Sequence, residues 1–311
     1  MLFVKATAYL LTHSSAVFSD LLESVIHLGA IGMALYSVVV SLRPPDESHP
    51  YGHGKIEFFS AGIEGTLIAL AAVGIIIEAT GGLINGRELE RLNLGAALTL
   101  FAAIVSLVLG LFLVRCGRQT SSIALVANGK HILTDSYTSF GVVFGLVLVL
   151  VTGVTALDPI VAIVIAVNIL YSGYKLVRTS VGGLMDEADR TTLARIADIV
   201  GTERRPEWIS MHHLRVMRTG DLHHLDFHLT VPFYWSVREG HRYQQQVCDQ
   251  LARAFGNKAS VMIHLDPCTT DYCRMCEVDP CHERKHPCSE QPSWDLAVLT
   301  GKPPLFDPDE S

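Results

Sequence analysis

The stretch "LLESVIHLGA" sets Glu23 and His27 four residues apart inside a run that is otherwise as apolar as a core helix. A second pair of the same spacing stands in "KHILTD", where His131 precedes Asp135 by four. On a helix such spacing puts both side chains on one face. Two helices could therefore supply two imidazoles and two carboxylates, a donor set suited to a tetrahedral divalent ion. An ionisable group at bilayer depth costs several kcal/mol unless it is paired or liganded. A hydrogen-bonded cluster without metal would account for either pair alone, but two independent pairs in two apolar spans point to a site. Asp20, one turn before Glu23, is read either as a third acid on that face or as a helix-end residue near the outer interface.

The elements that must carry these residues are membrane spans. The 311 residues are 49% hydrophobic and 18% charged, and mean hydropathy is +0.34, richer in apolar residues than most soluble domains. Five stretches reach the roughly 20 residues needed to cross a bilayer. The leading "MLFVKATAYLL" is too short to span and reads as half of a further helix. Either the missing half is encoded upstream or the first helix is a short variant. Arg43, Lys55, Arg115, Arg118, Lys175 and Arg178 collect on one side, while Arg87 and Arg91 opposite are offset by Glu88 and Glu90. By the positive-inside rule the long C-terminal segment lies in the cytoplasm. The net charge of −7 comes without a basic face, which argues against nucleic acid as a partner.

Beyond about Asp186 the pattern changes to that of a small α+β domain. "RTTLARIADIV" and "VREGHRYQQQVCDQLARAF" have helical periodicity, and "HHLRVMR", "LHHLDFHLTV" and "ASVMIHLDP" alternate as strands. His212, His228 and His264 come from three strands, and the spacing in "HLD" lets His264 and Asp266 share a side. His213, His223 and His224 show no such convergence and are read as surface residues. In "DESHPYGHG" His49 and His53 are four apart in a Gly- and Pro-rich loop where they cannot be core, and Asp46 precedes His49 by three; solvated loop polarity without metal is the alternative.

After Pro267 the chain is Cys, His, Pro and acid rich and is expected to lack a packed core. Five of its seven cysteines fall here, a density that points to metal ligation in a reducing compartment more than to disulfides. The candidates are Cys268, Cys273, Cys276, Cys281, His282, His286 and Cys288, with a C-x2-C at Cys273 and Cys276, and a flexible tail with free thiols is the alternative. Cys116 and Cys248 read as ordinary structural cysteines.

Together these residues resemble the cation diffusion facilitator family of divalent-metal/proton antiporters, most closely its bacterial zinc and iron exporters. The resemblance runs from near Met1 to about Pro267, and its most specific stretch is "DESHPYGHGKIE". It implies a six-helix membrane domain over residues 1–180 with a truncated first helix and a cytoplasmic metallochaperone-like α+β domain over 187–267; the Cys/His-rich tail over 268–311 lies beyond it. It implies transport-site roles for Glu23, His27, His131 and Asp135, a loop metal site at Asp46, His49 and His53, and a binuclear site at His212, His228, His241, His264 and Asp266. Lys55 and Asp186 match a pair linking the two domains. The sequence departs from the family in placing Glu first and His last on the second helix, which shuffles the ligand types.

The resulting expectation is a homodimeric integral protein of a bacterial inner membrane, lipid-embedded, that exports Zn²⁺ in exchange for protons. Fe²⁺, Co²⁺, Ni²⁺, Cd²⁺ and Mn²⁺ are alternative substrates. A membrane-anchored metal sensor without transport is the alternative function. An enzyme is not expected, because all four intramembrane groups read as ligands and none is left over as a base. No organic cofactor is expected.

Overall fold

The computed structural model describes residues 2–85, 91–119, 123–290 and 294–301. By internal contacts the chain divides into one unit of residues 1–38 and 58–181 and a second of 39–57 and 182–311.

The first unit is helical. Helices α1 (Leu2–Thr12), α2 (Ser15–Ser41), α3 (Ile56–Asn85), α4 (Leu92–Gln119), α5 (Ile123–Thr152) and α6 (Leu157–Leu184) follow in order, and α2 to α6 are each long and apolar enough to cross a membrane. Side chains such as Leu28, Ile77, Phe112 and Val164 are well exposed, as lipid-facing residues must be, since only backbone bonding within the helix is obligatory in hydrocarbon. The helices meet where residues are small. A Cβ added at Gly65 would lie 2.9 Å from the Gly173 carbonyl oxygen, and one at Gly173 would lie 2.9 Å from that of Gly65, so α3 and α6 touch backbone to backbone. Gly110 and Gly129 bring α4 and α5 equally close.

Polar clamps hold the rest. Lys5 of α1, 6% exposed, donates to Asp20 Oδ1 and Ser24 Oγ of α2, both at 2.9 Å, and to Ser139 Oγ of α5 at 3.4 Å. Ser139 in turn donates to Asp20 Oδ1 at 2.6 Å. Asp20 is thus the buried partner of a lysine. At the start of α2 the Asp158 carboxylate accepts from the Ser14 hydroxyl and from the Ser15 amide at 2.8 Å, a carboxylate at a helix N-terminus where the dipole favours it.

In the second unit α7 (Arg190–Thr202) and α8 (Val237–Ala254) pack on a sheet of β1 (Ser210–Thr219), β2 (Leu222–Val231) and β3 (Ala259–Pro267). Strands β1 and β2 are antiparallel, and β2 and β3 are parallel, joined through α8, the helical crossover that parallel neighbours require. Ser236 and Glu239 form a capping box at the start of α8. Leu193, Ile196, Phe227, Leu229, Val247 and Leu251 fill the core.

The segment after Pro267 is not the coreless tail expected from its composition. Tyr272 and Cys276, each 7% exposed, pack on Ile209 at the end of the sheet. Leu299 of the short helix α9 (Leu296–Thr300) enters the main core at 0% exposure. A polar segment with few apolar residues can still fold when its partners are supplied by a neighbouring surface. That surface is not visible in the segment's own composition.

Candidate metal sites

In the helical unit, Glu23 and His27 lie one turn apart on α2 and face Asp135 of α5. His27 Nε2 is 3.9 Å from Glu23 Oε1 and 3.7 Å from Asp135 Oδ1, and one donor atom from each of the three lies within 4.8 Å of the other two. Thr138, one turn along α5, donates to Glu23 Oε2 at 3.4 Å and holds that carboxylate toward the cluster. The group opens on a cavity of about 630 Å³ that is also lined by Glu64 of α3 and by Asn168 and Lys175 of α6. The side chain of His131 is outside the described residues, although its helix position, one turn before Asp135, is that of α5. Glu64 was not among the residues expected from sequence. The signal that flags Glu23, an acid in an apolar run, is present in "AGIEGTLIAL", but without a partner at helical spacing it did not stand out.

The loop residues come together as a second group. Asp46 Oδ1 is 3.2 Å from His49 Nδ1, and its Oδ2 is 3.3 Å from His53 Nε2. Bonds from the Ser48 hydroxyl and the His49 amide pull the Asp46 carboxyl down to about 2, so it is ionised and available as a ligand throughout the physiological range. Lys55 Nζ donates to Asp186 Oδ2 at 2.9 Å. Both residues belong to the second unit by contacts.

The third group is written in the sheet register. His212 of β1 stands opposite His228 of β2, which stands opposite His264 of β3, so three imidazoles form a row across three strands. Asp266, two residues after His264, falls on the same face. Its carboxylate lies 3.3 Å from His212 Nε2, 3.0 Å from His228 Nδ1 and 2.8 Å from His264 Nδ1. His212 is 2% exposed, and burial, partly opposed by Asp266, holds its pKa below the ordinary imidazole value. The shift favours the neutral imidazole, the form that binds metal. His241 sits exposed on α8, and no contact among the described residues joins it to this row.

His213 does join it. A register shift between His212 and Arg215 and a positive φ of 55° at His213 mark a bulge in β1. A bulge lets two consecutive residues face the same side. The His213 ring lies 5.2 Å from both the His212 and the His228 rings, so the surface assignment made from strand alternation is corrected by the bulge. His224 contacts Thr219 at 2.8 Å and Tyr51 edge to face, and His223 packs on Phe255.

Of the tail residues, Cys268, Cys273, Cys276 and Cys281 line one pocket of about 270 Å³. Cys288, His282 and His286 are exposed and outside it. Burial pushes the Cys268 and Cys276 thiols up. The neighbouring Tyr234 hydroxyl rises to about 12, through burial first and the nearby thiols second.

Residues 1–185 match the family model described as the cation efflux transmembrane domain, and residues 188–268 match that of the cation efflux protein cytoplasmic domain. An uncharacterised transporter of Synechocystis sp. is 33% identical over 267 residues, 85% of this chain and 85% of its own. The cation-efflux pumps FieF of Yersinia pestis and Yersinia pseudotuberculosis are each 30% identical over 270 residues, 86% of this chain and 89% of theirs.

Proposed function

The chain belongs to the cation efflux, or cation diffusion facilitator, family of integral membrane exporters of metal cations, and from that premise we propose that it carries Zn²⁺ out of the cytoplasm of a bacterial cell by exchange for protons. The observation that supports the reading is the convergence of Glu23, His27 and Asp135 on one cavity. Mixed nitrogen and oxygen donors suit Zn²⁺ and also Fe²⁺, Co²⁺, Ni²⁺, Cd²⁺ or Mn²⁺, and they discriminate against Mg²⁺ and Ca²⁺, which take oxygen. His131 is assigned as the fourth ligand from its place one turn before Asp135.

Proton coupling follows from ligand chemistry. Imidazole and carboxylate bind metal only when deprotonated, so a metal arriving from the cytoplasm displaces protons, and protons arriving from outside displace the metal. The loop group of Asp46, His49 and His53 would take metal on the cytoplasmic side. The row His212, His228, His264 and Asp266 would bind the same ion in the cytoplasmic domain and bias a homodimer toward its metal-loaded form, a sensor coupled to the pump.

The test is flux in sealed proteoliposomes with an imposed pH gradient. Zn²⁺ uptake that rises with the gradient, and that is lost in His27→Ala protein which still inserts, is the expected result. Flux at the wild-type rate from His27→Ala would show that this face of α2 does not carry the ion. Binding without any flux would leave the sensor alone.

A further inference from the structure

We propose that Cys268, Cys273, Cys276 and Cys281 form a separate four-thiolate site for Zn²⁺ that fastens the C-terminal segment to the sheet and takes no part in transport. The four side chains line a single pocket together with Phe233 and Glu283. None of these four is in a disulfide.

The backbone around the four is held by hydrogen bonds of its own. Arg284 is at the centre of the arrangement: its guanidinium donates to the carbonyls of Cys276 at 3.0 Å, Cys273 at 3.4 Å and Val278 at 2.5 Å. Its own amide donates to the Cys281 carbonyl at 3.4 Å. Cys276 N donates to Cys273 O at 3.4 Å, so the C-x2-C pair forms a turn with its two thiols toward the same pocket. The fourth cysteine is fixed from another direction, because the Cys268 amide donates to Val231 O at the end of β2 at 2.9 Å. Thiols from three points of a folded segment thus face one space.

Soft thiolates select Zn²⁺, and four of them close its tetrahedron with no position left for water or for exchange. This is the opposite of what a transport site needs. The thiols stand wider apart than the His and carboxylate groups, whose donors lie within 4.8 Å of one another. Binding therefore draws them inward to the Zn–S distance of about 2.3 Å. The segment they hold begins two residues after Asp266, so closure also stiffens the strand end that carries that carboxylate.

The readout is specific to sulfur, which the other groups lack. The full-length chain is purified in detergent under reducing conditions and loaded with Co²⁺. Thiolate-to-metal charge-transfer absorption is expected at one equivalent per chain. It should disappear in Cys273→Ser and Cys276→Ser, fall in Cys268→Ser and Cys281→Ser, and remain in Cys288→Ser. Absence of the band in the reduced wild type, its survival in a Cys268→Ser and Cys281→Ser double variant, or the finding of two disulfides in that preparation would each overturn the site. X-ray absorption at the zinc edge of the wild-type protein decides the matter without any variant, because a sulfur shell is required. Flux is not part of any of these measurements, so the proposal stands or falls apart from transport.

Discussion

The candidate metal sites of the two units are built from the same side chains and differ in how tightly they are closed. On α2 and α5, His27 stands 3.7 and 3.9 Å from its carboxylate partners, beside a cavity of about 630 Å³. In the sheet, one carboxylate reaches three imidazoles at 2.8 to 3.3 Å. Donors on separate helices can shift with those helices as bodies, whereas strands in register fix three imidazoles in a row that cannot separate without breaking the ladder. An ion that must leave is better served by the first arrangement, and an ion that must report its concentration by the second.

The largest effect is expected at Lys5. Removing one partner of a buried ion pair leaves an uncompensated charge at a cost of about 3–5 kcal/mol, here in the clamp that ties α1 and α5 to the turn of α2 just before Glu23. Lys5→Ala should lower the thermal unfolding midpoint of the detergent-solubilised protein by several degrees and abolish flux. Lys5→Ala together with Asp20→Ala should recover part of the stability. Recovery to no degree would mean that the pair is not coupled.

Next in size is Asp266→Ala. One carboxylate bridges three imidazoles, so metal affinity of the cytoplasmic cluster is expected to fall by roughly 10–100-fold or more, read by calorimetry on full-length protein carrying Asp135→Ala to silence the membrane group. The complementary Asp135→Ala single variant should lose flux and keep the cytoplasmic binding event. If one substitution removes both events, the two groups are not independent and the contrast between them fails.

His213→Ala should weaken cytoplasmic binding less than His212→Ala does, since His213 is brought to the row by a bulge and shares its face without bonding Asp266. In pH, burial holds His212, His223 and His224 below the ordinary value of 6.5. The folded state therefore binds fewer protons than the unfolded one just below that value, and stability falls as pH drops. Metal-free protein should show its full stability above about pH 7 and lose some of it by about pH 5.5, followed through Trp208 fluorescence in denaturant titrations. A flat profile over that window would show that these imidazoles are solvated.

Much of this was legible in the sequence because the period of a helix or a strand is itself a placement rule. Glu23 with His27 needs only the four-residue helical spacing, and His264 with Asp266 needs only strand alternation. The cross-strand row was foreseeable as three histidines on three strands, but its register was not. His213 was misread because strand alternation assumes an unbroken ladder, and nothing in "MHHLRV" announces a bulge. Lys5 was passed over as part of a short apolar segment, since its partners Asp20, Ser24 and Ser139 belong to two other helices. The tail's order depends on Ile209, some sixty residues upstream of Tyr272, and composition read locally has no access to such a partner.

The glycine crossing of α3 and α6 has a mechanical meaning. Where backbone rests on backbone at Gly65 and Gly173, there is no side chain to rotate out of the way, and the two helices can neither separate slightly nor roll past one another without loss of contact. They form a strut. Any opening of the cavity to one side of the membrane and then the other must be taken up at joints packed through flexible side chains, and a larger residue at either glycine would alter the strut's width before it touched any metal ligand.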